Sequence, residues 1–206
     1  MKKAGGSVEQ EKLGRREQKK IKARNEILDT AVVLFSEKGF MDTSIADIMN
    51  TAGMGLGTFY NYFSSKEDVL LSLLNRFTGT LSDELRTIMA NNTSSKVILA
   101  EMILFTARLV GKNRYLLPLL FTGAMTHAKG RSGRPAGLQP PEFMGVFLRL
   151  IKEGQAKGEF RQDVTAEIIS EMFHSMFQAA AYSHIDIPFE KNIEMKLKLI
   201  IAGISN

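Results

Sequence analysis

Apolar residues recur along nearly the whole chain at the 3.6-residue spacing of a helix face, and almost no segment alternates as a half-buried strand does. That pattern restricts the chain to an all-α fold. Ile27, Ala31, Leu34 and Phe35 form one stripe of a first helix predicted over about 17–38, with Gly39 standing where a C-cap glycine belongs. Ser44 lies three residues before Asp47, a capping spacing ahead of a short helix that carries Ile45, Ile48 and Met49 and cannot pass Gly53. A third short helix is predicted over about 56–62. A long fourth follows Ser64-Ser65, with Glu67 and Asp68 in its first turn, and reaches Asn91-Asn92. Further helices are expected over about 95–110, 142–157, 164–184 and 189–204, and a helical stretch from Arg114 to His127 has Pro118 as a kink or start. Residues 129–141, rich in glycine, proline and basic side chains, read as an exposed loop.

With 206 residues and 44% hydrophobic content, the chain can bury a sizeable core in one large domain or in a small and a larger one. It has no cysteine, which excludes disulfides, thiolate metal sites and cysteine nucleophiles. Lys2 and Lys3 are followed by no apolar stretch of the signal-peptide kind, and no segment approaches the roughly 18 uninterrupted apolar residues of a membrane span. A cytoplasmic protein with no membrane partner is expected. Of the formal net charge of +5, all the excess lies in residues 1–24, where nine Lys/Arg face three Glu; the remainder carries −1. Such a run is a solvated tail, a nucleic-acid arm or an anionic membrane contact, and the segment behind it has to decide.

That segment contains AGMGLGTFYNYF, residues 52–63. Glycines at 53, 55 and 57 fit neither GxGxxG nor a phosphate loop, because no GK[ST] follows and a helix rather than a strand precedes them. At about 100° per residue, Leu56, Phe59 and Phe63 share one stripe, expected to be buried. The opposite side holds Gly57, Thr58 and Asn61, flanked by Tyr60 and Tyr62: an open approach point, small donors and acceptors, and two rings with hydroxyl tips. A short helix braced against another across a glycine turn, here at Gly53, is what a DNA major groove admits, and a basic arm ahead of it has the same partner. Asn61 is the candidate for reading a base edge.

The succession Arg24, Ile27, Ala31, Phe35, Gly39-Phe40, Thr43-Ser44, Ile48, Ala52-Gly53, Gly57-Thr58-Phe59-Tyr60, Tyr62-Phe63 and Lys66 makes residues 20–71 resemble the DNA-binding domain of the TetR family of bacterial transcriptional regulators. The resemblance implies a basic arm over 1–19, a three-helix helix-turn-helix domain over 20–66, and a larger helical effector-binding and dimerisation domain over 67–206. It implies that Thr43 and Ser44 hold phosphate, that Tyr60 and Tyr62 contact backbone or bases, and that Lys66 pins a phosphate, with Arg24, Gly57 and Thr58 among the DNA-facing positions. Two departures stand out. Met49 occupies a position usually small in the family, and Met54-Gly55 stands where a valine-serine pair is usual.

The larger domain offers no enzyme chemistry: His127, His174 and His184 are not paired at ligand spacing or set beside a carboxylate, so no catalytic residue, metal or cofactor is expected. Its aromatic and methionine residues crowd the later helices. By the resemblance, Met102, Phe105, Phe121, Met125, Phe143, Phe147, Phe173 and Phe177 line an effector pocket, with Arg108 and His174 as polar orienters beside His127. The last two helices carry apolar residues on more than one face, and the family pairs such helices into a homodimer. The expectation is a dimeric repressor that binds a pseudo-palindromic double-stranded operator and is released by a small apolar or amphipathic effector. The alternatives are an activator or a regulator controlled by a protein partner, and a helical carrier or enzyme with a degenerate DNA-binding unit.

Overall fold

The computed structural model describes residues 14–117 and 142–205, with the side chains of 142–144 outside that description. Eight α-helices occur among the described residues: α1 (Arg15–Lys38), α2 (Ile45–Thr51), α3 (Leu56–Phe59), α4 (Lys66–Asn91), α5 (Ser95–Lys112), α6 (Glu142–Ala156), α7 (Ala166–Ala181) and α8 (Phe189–Ile204), with one 3₁₀ turn at Arg114–Leu116. Within the described set, extended pairing amounts to a single isolated bridge between Phe160 and Ser205. The chain is all-α, and it divides into two compact units between Val69 and Leu70.

The first unit is built on the apolar face of α1. Ile27, Leu28, Ala31, Leu34 and Phe35 are buried against Ile48, Met49, Phe59 and Phe63, each such side chain contributing about 1.5–3 kcal/mol when fully covered. Gly39 ends α1 with φ 85°, its N–H donating to the Phe35 carbonyl at 3.0 Å. Gly53 ends α2 with φ 66°, and Met54 N–H returns to the Met49 carbonyl at 2.9 Å. Both glycines occupy the left-handed region, where a Cβ costs roughly 1–2 kcal/mol. These two turns set where α2 and α3 lie.

In the second unit α5, α6, α7 and α8 pack in a cycle, α5 on α6 and α8, α7 on α6 and α8. Leu81 of α4 joins Leu99, Met102, Ile103, Ile151, Phe173, Phe177 and Ile193 in one core. The connector GEFRQD between α6 and α7 is firmly held. The Glu159 carboxylate accepts from Ser94 Oγ at 2.8 Å and from the N–H groups of Lys96 and Ser95 at 2.9 and 3.2 Å, so a distant residue caps α5. Phe160 lies on Gly154, where an added Cβ would come within 2.3 Å of the ring. Arg161 N–H donates to the Ile204 carbonyl at 2.8 Å, tying the connector to the end of α8.

Candidate nucleic-acid interface

Ser44 begins α2 with a complete capping box: its Oγ accepts from Asp47 N–H at 3.0 Å, and Asp47 Oδ2 accepts from Ser44 N–H at 2.9 Å. The Asp47 carboxyl is held below the usual carboxylate range, first by the Ser44 backbone N–H and then by its hydroxyl. Ser44 is exposed, whereas the neighbouring Thr43 is 1% exposed and donates its hydroxyl to the Gly39 carbonyl at 2.8 Å. The two residues expected to hold phosphate therefore divide. Ser44 stands at the surface, and the Thr43 side chain is an internal strut that fixes the connector.

The segment that reads as a recognition helix is shorter than the spacing predicts. α3 is four residues long, and after Phe59 the chain tightens into i to i+3 bonds, with Asn61 N–H on Thr58 O at 3.2 Å and Tyr62 N–H on Phe59 O at 2.9 Å. Phe59 and Phe63 are buried as expected, their centroids 5.7 Å apart. Leu56 is not: it is 51% exposed. Helical side chains lean toward the N-terminus, and there the chain offers only Gly53 and Gly55 around Met54, which leave Leu56 uncovered. Gly57 and Asn61 are exposed and Tyr60 is 62% exposed, while Thr58 and Tyr62 are half-buried. The outward surface thus combines Leu56, Gly57, Tyr60 and Asn61.

Arg24 holds its guanidinium 4.9 Å from the centre of the Phe63 ring. Arg15, Arg16, Lys19, Lys20 and Lys22 are exposed, and α1 begins at Arg15, so the last five residues of the expected arm are helical. Residues 1–13 lie outside the described set. Lys66 departs most from its expected role. Its Nζ donates to the carbonyls of Phe40 at 2.6 Å, Thr43 at 2.7 Å and Met41 at 3.3 Å, which occupies all three N–H donors that a phosphate contact would use. Met49 is fully buried, so that departure from the usual small residue is a core substitution. Gly55 supplies the N-cap of α3 without a side-chain bond, and a Cβ added there would meet nothing within 4 Å.

In the second unit Met102, Phe147, Phe173 and Phe177 are buried in the shared core and Phe105 packs on it half-covered. Arg108 is exposed and stands over the Phe105 ring at 5.8 Å, on the rim of a groove of about 600 Å³ floored by Ala100, Leu104, Ala107, Leu197 and Ile201 between α5 and α8. His174 is half-buried, which lowers its pKa, and His184 is exposed. Phe121, Met125, His127 and the side chain of Phe143 lie outside the described residues. On α7 and α8, Ile168, Met172, Met195 and Leu199 are exposed, and a second groove of about 470 Å³ runs between the two helices. Ile200, which lines that groove, is half-covered by the core. Among the described residues no group of three His, Asp or Glu is placed to hold a metal, and no helix is long and apolar enough to cross a membrane.

A capped short helix, a glycine turn and an outward face of small, apolar and hydrogen-bonding side chains define a helix-turn-helix, the DNA-binding element of a transcriptional regulator rather than an enzyme. The comparisons agree and make the class specific. Residues 27–73 match the bacterial regulatory proteins of the tetR family. The HTH-type transcriptional repressor KstR2 of Mycobacterium tuberculosis (strain H37Rv) is 36% identical over 146 residues, covering 71% of this chain and 73% of that protein. The repressor of the same name from Rhodococcus jostii (strain RHA1) is 27% identical over 147 residues, 70% and 71% of the two chains. The solved structure of the ketosteroid transcriptional regulator KstR2 of Mycobacterium tuberculosis shares the fold at a TM-score of 0.68 and 18% identity, over 89% of this chain and 95% of that one. The chain belongs to the TetR family of bacterial transcriptional regulators.

Proposed function

We propose that the protein is a homodimeric repressor, working in the cytoplasm, that binds a pseudo-palindromic operator and leaves it when a small apolar or amphipathic effector binds the larger unit. The observation that carries this reading is the outward surface around α3. Phe59 and Phe63 anchor it from beneath, and Leu56, Gly57, Tyr60 and Asn61 face outward. Asn61 reads a base edge through its amide, and the exposed Leu56 supplies the apolar contact that a thymine methyl offers in the major groove. Gly57 lets the backbone come close, while Ser44, Tyr60 and Tyr62 meet the sugar-phosphate backbone, with Arg24, Thr58 and the cations of α1 around them.

Dimerisation is supported by Ile168, Met172, Met195 and Leu199, an apolar surface on α7 and α8 that a second copy would cover. Two-fold pairing places two recognition segments on half-sites one helical turn apart, about 34 Å. The effector class is supported by the Phe105 ring and Arg108 guanidinium beside the apolar floor of the α5–α8 groove. An effector that binds one arrangement of the dimer better than the other shifts the population away from the DNA-competent spacing by its differential affinity. The test is enrichment of random duplexes by the full chain. The expected result is one sequence with two inverted half-sites. Enrichment of single, unpaired half-sites, or of no sequence, would contradict the reading.

A further inference from the structure

An ammonium group has three donors and no acceptor, and at Lys66 each donor has a carbonyl in front of it. The three carbonyls belong to Phe40, Met41 and Thr43, on the connector between α1 and α2, 23 to 26 residues earlier in the chain. The same Nζ lies 4.5 Å from the centre of the Phe40 ring, whose negative face adds to the attraction. The connector lies outside any helix and has Met41 82% exposed at its tip. It leads directly into Ser44, the N-cap of α2. Its shape is set by what grips its carbonyls, and Lys66 grips three of them from the first residue of α4.

We propose that Lys66 is a positioning residue for DNA binding: it clamps the connector so that Ser44 and the start of α2 are presented to phosphate, and it makes no phosphate contact itself. The proposal rests on the DNA-binding reading of this face. A compact ammonium suits three carbonyls converging on a point, whereas the planar guanidinium of arginine does not, although arginine is at least as good a phosphate ligand. The two roles therefore separate in one pair of variants.

The experiment measures binding of the full chain, Lys66→Arg and Lys66→Met to one non-specific duplex and to the enriched duplex across a salt series, with amide hydrogen exchange of residues 40–47. Both variants should bind about tenfold more weakly, as expected when charge-assisted bonds holding the site are lost. The salt slope should stay that of the parent, and the amides of the connector and first turn of α2 should exchange faster. The proposal is overturned if Lys66→Arg binds as tightly as the parent. It is equally overturned if Lys66→Met flattens the salt slope by about 0.9, the loss of one phosphate contact, with exchange unchanged. Should Lys66→Met fail to fold, Lys66→Arg decides alone. Failure of the parent to bind any duplex would refute DNA binding, and the exchange measurement would still test the clamp.

Discussion

Asn61, Leu56 and Lys66 lie within eleven positions of one another, yet sequence spacing reads them with very different success. Asn61 faces outward as its helical position predicts. Leu56 was assigned to the buried stripe by rotation alone, but rotation does not say whether anything lies above a residue at a helix start, and the flanking glycines leave it bare. The partners of Lys66 and the internal hydroxyl of Thr43 are set by tertiary approach, which no local pattern records. At this scale the reading predicts that Asn61→Ala relaxes preference at one base-pair position by roughly 1–3 kcal/mol, measured against a panel of single-base operator variants. Leu56→Ala should abolish discrimination between thymine and deoxyuracil at one half-site position, while the parent binds the methylated base several-fold more tightly. A parent indifferent to that methyl everywhere would remove Leu56 from base reading.

At the scale of elements, the helices were legible because their ends carry chemical signals. Ser44 with Asp47, Ser65 whose Oγ accepts from Asp68 N–H at 3.2 Å, Gly39 and Gly53 all perform the capping or turning their identities imply. The length of α3 was not legible, because the i to i+3 turn after Phe59 uses the same residues a longer helix would use. Gly55 has the backbone of an N-cap and open space around it, so Gly55→Ser should restore a cap and raise the stability of the first unit by a few tenths of a kcal/mol in urea melts. It should also tighten duplex binding if the new hydroxyl meets phosphate. Glu159 makes a second element-scale prediction. Burial alone would raise its pKa, but hydrogen bonds from Lys96 N–H, the Ser94 hydroxyl and Ser95 N–H, with the Lys157 charge, leave it lowered. A carboxylate with a lowered folded-state pKa stabilises above its unfolded value, ordinarily 4.5, and loses that contribution as pH falls through the folded value. Glu159→Gln should therefore cost about 1–2 kcal/mol at neutral pH, and the gap to the parent should close progressively below about pH 4.5. A gap that persists unchanged at pH 3 would mean that the charge at Glu159 does not hold the α5 terminus.

At the scale of the whole molecule, the fold class and family were legible because 3.6-residue periodicity runs throughout and the N-terminal motif is dense with constrained positions. The effector site was not, since aromatic and methionine residues fill a core and line a cavity with the same side chains: Met102, Phe147, Phe173 and Phe177 are core here. Ile200, by periodicity a candidate for the partner face, is half-covered by its own unit, whereas Leu199 is 76% exposed and is the cleaner probe of the dimer. The central claim is that sequence-specific binding requires two copies paired through α7 and α8. Leu199→Glu leaves the isolated subunit folded, because the side chain is exposed in it, but would bury an unpaired carboxylate in the dimer at a cost of several kcal/mol. The decisive measurement is operator affinity of this variant and the parent beside their masses in solution. The account predicts a folded monomer whose affinity for the full operator falls by about two orders of magnitude or more, while binding to a single half-site is unchanged. A folded monomer that binds the full operator as tightly as the parent would contradict it.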